Sequence, residues 1–248
     1  MNIKDFESEQ HRFNWLVEHL TELSSELKTS PKSVDELEGM LVTTSFVNIG
    51  LSYAKGINTL LQLEQSEATP PLHRALYELW VELSFLLRSG DARENAAKFS
   101  INTVLELEIF IEEHKKHFTE EAIAGIKRTI AHYEMSHPEA MALIRQQRQR
   151  KQYHWSGMSR SRMERQMAGY DTQIYKVMSW EAHVVMSPIR DIEILMKDES
   201  LATFSFQPQN NLMVEPEFIA YSAGCILFFI WNEYAKHFGF PQVKIEDK

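Results

Sequence analysis

Six apolar residues near the start of the chain, Phe13, Leu16, Val17, Leu20, Leu23 and Leu27, recur at steps of three or four, which predicts a helix over Phe6 to Leu27 with one buried face. Pro31 then stops it. A longer helix is expected from Val34 to about Gln65, with Gly50 and Gly56 as weak points in its middle. The double proline at Pro70 and Pro71 opens a strongly striped helix that ends at Ser89-Gly90. Another is predicted from Ala92 to about His117, and Thr119 followed by Glu120 and Glu121 reads as the capped start of the next. Pro138 begins a further helix, a short one starts near Ser159, and Asp171 caps one that stops before Pro188. Residues 197–214 lack helical period and read as an irregular segment or small hairpin, and a last helix runs from Pro216 to about Phe238.

The pattern predicts an all-α multi-helix bundle of about eight to nine helices in a single domain over 1–248, with 1–30 as a peripheral N-terminal helix. Composition agrees: 44% hydrophobic residues supply a core, and nine Gly and eight Pro among 248 residues leave room for long helices. The single cysteine, Cys225, excludes an internal disulfide and is expected to be a buried small hydrophobe. Gly39 to Ala54 and Phe218 to Asn232 fall short of the ~20 apolar residues that a membrane span needs. The N-terminus has no signal-peptide pattern, so a cytoplasmic protein with no membrane role is expected.

Charge changes the picture at one place. In "RQQRQRKQYHWSGMSRSRMERQ", residues 145–166, seven cations against one Glu give +6 locally and leave −15 elsewhere in a chain of net charge −9. The candidate anion-binding residues are Arg145, Arg148, Arg150, Lys151, His154, Trp155, Arg160, Arg162 and Arg165. Cations interleaved with aromatics suit single-stranded nucleic acid, but equally an acidic protein partner, a second copy of the chain, or neutralisation of the chain's own Glu-rich helices. Trp155 reads better as a packed anchor than as a stacking platform.

A second polar set lies within apolar helices. Arg74 and Glu78 share a helix face, and Tyr175, Ser179 and His183 recur every fourth residue, so they line either a satisfied core network or a pocket wall. There His183 would be the candidate general acid or base. Only Glu134 and His137 have the Glu-x-x-His spacing of a di-metal bundle, and the Lys pair between His114 and His117 suggests a solvated face, so neither metal nor cofactor is expected.

Arg74-Ala-Leu-Tyr-Glu78, Trp155, Gly169 and the Tyr175, Ser179, His183 ladder occur in this order, and with them the chain resembles a bacterial family of all-α proteins of unknown function over roughly Leu41 to Phe238. That resemblance implies a helical fold and no particular activity. Some such families are similar to the HEPN group, whose active members are metal-independent endoribonucleases of toxin and antiphage systems with an Arg followed closely by a His. Arg148 with His154 and Arg12 with His19 have that spacing, although neither Arg is followed by the usual Asn, Asp or His, and chance supplies roughly one or two such matches. Two functions are therefore carried forward: a binding or interaction module, and an RNA-cleaving enzyme in which His183 or His154 moves the proton while Arg148 or Arg74 stabilises phosphate charge.

Overall fold

Helix boundaries in the computed structural model follow local chemistry. The model describes residues 6–26, 34–152, 154–166 and 215–244. The expected helix after Asp171, its Tyr175, Ser179 and His183, and the segment 197–214 lie outside the described residues. Among the described residues there are eight α-helices: α1 (Glu9–Glu26), α2 (Val34–Gln62), α3 (Pro70–Arg88), α4 (Ala92–Glu113), α5 (Glu120–Ser136), α6 (Pro138–Gln149), α7 (Arg160–Gln166) and α8 (Pro216–Phe238). Asp91 caps α4 by accepting from the Arg93 amide, and Thr119 caps α5 by accepting from the Ala122 amide. Proline opens α6 and α8, and Gly239 closes α8 in the left-handed conformation.

The chain divides into two compact units, one of 1–29, 46–83 and 169–248, the other of 30–45 and 84–168. In the first, α1 lays Phe13, Leu16, Val17 and Leu20 against α8, which buries Ile219, Ala223, Ile226, Leu227, Ile230 and Trp231. Each such side chain, fully buried, stabilises the fold by about 1.5–3 kcal/mol relative to exposure. Polar ties fix the packing: the Asn58 and Gln62 amides both donate to Asn14 Oδ1, at 2.6 and 3.1 Å. Gly56 has a packing reason, because a Cβ there would lie 2.9 Å from a Leu72 methyl. The apparent weak point of α2 is thus a site of close approach.

Helix α8 is long and apolar enough to cross a membrane by length and composition, yet over half of its most apolar window is buried inside the protein. It also corrects one expectation: Cys225 is only half-buried and lines a cavity. Beyond α8 the chain returns along it, where Trp231 Nε1 donates to the Pro241 carbonyl and Asn232 exchanges two hydrogen bonds with the Val243 backbone.

The second unit packs α4, α5 and α6 on one another around Ile101, Leu105, Ile130, Met141 and Ile144. Buried Asn95 joins α4 to the end of α3, its amide donating to the Leu86 and Ser89 carbonyls at 3.0 and 2.9 Å. The Tyr133 hydroxyl donates to Glu38 Oε1 at 2.7 Å, with His137 Nε2 3.5 Å from the other oxygen. Burial, with Glu38 adding to it, raises the Tyr133 phenol to about 12.

Candidate functional site

The basic stretch occupies α6, a turn, and α7. Met141 and Ile144 bury one face of α6, which turns Arg145 and Arg148 toward neighbouring acidic helices. Arg145 donates to Glu134 Oε1 at 2.6 Å. Arg148, whose side chain is only 12% exposed, donates to the Asn102 carbonyl and side-chain oxygen at 2.9 and 3.0 Å and lies 3.4 Å from Glu106. Internal neutralisation therefore describes these two cations. Arg150, Lys151, Arg162 and Arg165 are exposed, and Arg160 is half-buried.

Lys151 takes a left-handed turn after α6, and the chain then folds over Trp155. That indole is 3% exposed and packs against Phe85 at 5.8 Å and Phe99 at 6.4 Å between ring centroids. It anchors the loop and presents no open face for base stacking. Gly157 has φ +66°, a backbone conformation that favours glycine, and a Cβ there would push aside the Gln147 amide 2.7 Å away. His154 Nδ1 lies 2.7 Å from Ser156 Oγ and accepts from the Ser156 amide. Arg148 and His154 are thus committed to different partners. In the other Arg-His match, Arg12 pairs with Glu9 at 2.9 Å and His19 stacks on Trp15 at 4.8 Å.

Beside the Trp155 loop lies a cavity of about 190 Å³, walled by Phe85, Leu143, Trp155 and Met158 and given polar character by Ser89, Asn95, Lys98, Gln147, Ser156 and Gln166. At about 30 Å³ per water it is the size of about six waters, or one small ring system. Lys98 is largely covered and pairs with Glu94 at 2.6 Å, leaving further ammonium donors. Gln147 Oε1 is buried without a hydrogen-bond partner among the described residues, an unmet acceptor. The Gln166 amide lies 3.7 Å from the Met158 thioether. Lys98, Gln147, Asn95 and Gln166 carry no motif in sequence; only their convergence marks them. By helical spacing, Arg162 lies on the same face of α7 as Gln166, and Arg150 lies one turn beyond Gln147.

The other expected set is half visible. Arg74 Nε pairs with Glu78 Oε1 at 3.0 Å, both side chains being about a quarter exposed. Tyr175, Ser179 and His183 lie outside the described residues.

Residues 40–199 match the model of a family described as a family of unknown function, DUF5677. No curated protein and no solved structure matches the chain.

Proposed function

The chain belongs to this family of unknown function, DUF5677, and we propose that its second unit is a binding module for one small, ring-bearing anion of the mononucleotide class. The ring enters the cavity beside Trp155, and the phosphate lies outward toward Arg150, Lys151 and Arg162. The observation that carries this reading is one cavity lined by both the Gln147 side chain and Lys98. Lys98 has ammonium donors beyond its pairing with Glu94, which a ligand acceptor would engage. The Gln166 amide supplies a complementary donor, so both edges of a heterocycle are served. Every residue of the cavity falls within the matched span 40–199, which fits a property shared by the family. The enzyme alternative has less support, because Arg148 and His154 serve internal bonds.

Calorimetric titration of the whole chain with the four common ribonucleoside monophosphates, and with the matching nucleosides, tests this. At least one monophosphate should bind one to one and its nucleoside about tenfold more weakly. Lys98→Ala and Gln147→Leu should each cost about tenfold, equivalent to about 1.4 kcal/mol. No binding by any of the four at millimolar concentration, or unchanged affinity in both variants, would sink the proposal.

A further inference from the structure

A second cavity, of about 340 Å³, lies in the first unit between α1, α8 and the segment that returns after α8. Every residue that lines it falls outside the matched span 40–199, so it is built from the flanks of the family region. It shares no lining residue with the Trp155 cavity.

The sequence explains how it forms. The two helices start side by side: the Glu9 and Gln10 amides at the beginning of α1 donate to Glu217 in the first turn of α8, at 2.9 and 3.3 Å. Their buried stripes meet through Phe13 and Gly224, where a side chain on the glycine would touch the Phe13 ring at ordinary contact distance. Large rings then stand around an opening that no side chain of the described residues fills: Phe6, Trp15, Phe228 and Phe229. Such a volume, lined mostly by apolar groups with a few convergent polar ones, is the usual form of a small-molecule site.

Two of the polar groups are cations. Arg12 donates through Nη1 to Glu9 and lies with its guanidinium 5.9 Å from the Phe6 ring centre. Its Nε is buried and has no hydrogen-bond partner among the described residues. Lys244, exposed on the returning segment, adds a second cation at the rim. Glu9 is the one acid among the described lining residues and is already paired with Arg12 at 2.9 Å. What the site offers a ligand is therefore positive charge from Arg12 and Lys244 on a lining that is otherwise mostly apolar. A guanidinium and a second cation on one cavity lining are matched by a carboxylate.

We infer that this cavity binds an amphipathic monocarboxylate, an unbranched or aromatic acid whose apolar body lies among the four rings and whose carboxylate meets the Arg12 guanidinium and Lys244. A methylene occupies about the same space as a water, so 340 Å³ holds a chain of about eight to ten carbons. The Cys225 thiol and Tyr221 hydroxyl line the same wall, and burial raises the thiol above its ordinary value, so at neutral pH it is a soft neutral contact for the chain and not a competing anion.

The test uses the full chain and three ten-carbon probes that differ only at the head: decanoate, decanol and decylamine. Decanoate below its aggregation concentration should bind one to one, with decanol about tenfold weaker and decylamine weaker still. Arg12→Gln should lower decanoate affinity about tenfold while leaving decanol unchanged. Because Arg12 also packs on Phe6, Lys244→Gln, at an exposed position past the helix, serves as the second variant and should lower decanoate affinity in the same direction. Helical circular dichroism on each variant confirms folding. Absent or non-saturable decanoate binding overturns the inference. So does equal affinity for all three heads, which would mark a merely apolar crevice, or decanoate affinity that survives both substitutions. None of these results bears on the Trp155 site, since mononucleotide binding is read separately.

Discussion

Trp155→Ala should destabilise the second unit by about 3–5 kcal/mol, the cost of deleting a fully packed large aromatic side chain. The indole is 3% exposed and fills space against Phe85 and Phe99, so its removal leaves a void that the α6 to α7 turn must collapse into. The loss is comparable with the whole stability of many domains. A stacking platform would behave differently, since exposed substitutions commonly change stability by less than about 0.5 kcal/mol. Urea unfolding of the variant decides between them: a midpoint shift equivalent to under about 1 kcal/mol would contradict the anchoring role.

The second large effect is pH dependence from His73. This residue is 1% exposed in the first unit, with Nε2 3.0 Å from Ser222 Oγ and Nδ1 buried without a partner among the described residues. Burial disfavours its cation and lowers the pKa from 6.5 to about 4. Between these values the unfolded chain binds a proton that the folded chain refuses, so stability rises with pH across that window. The contribution is complete above pH 6.5 and lost as pH falls toward 4, amounting to about 3 kcal/mol. Unfolding free energies measured at intervals from pH 4 to 7 should show this slope in the wild type and a flatter one in His73→Gln. Equal slopes in both proteins would mean that His73 titrates normally.

Helix limits were legible in sequence because each has a local cause. Pro70, Pro138 and Pro216 open helices, Asp91 and Thr119 cap them, and Gly239 ends one, all within a turn of the boundary they set. The all-α class follows from that pattern. What could not be read was anything that depends on partners distant along the chain. Gly56 looks like a defect in α2 until Leu72 is seen against it. Arg148 looks available for an anion until Asn102, forty-six residues away, is found to hold it. The carboxylate cavity joins α1 to α8 across some two hundred residues, and no motif connects Arg12 with Lys244. The charge asymmetry of 145–166 was visible at once, but the polar cavity beside it depends on Lys98 and Gln147, ordinary surface types whose burial only the fold determines. The polar ladder of Tyr175, Ser179 and His183 is a periodicity that the described residues do not reach.

The binding role of the Trp155 cavity is tested most directly by amide nuclear magnetic resonance of the whole chain titrated with the tightest-binding monophosphate. The account predicts saturable shifts at the side-chain amides of Asn95, Gln147 and Gln166 and at the Trp155 indole N–H, with smaller changes at Arg150 and Arg162. Shifts confined to the exposed arginines, with those four signals unmoved, would show surface attraction alone and contradict it.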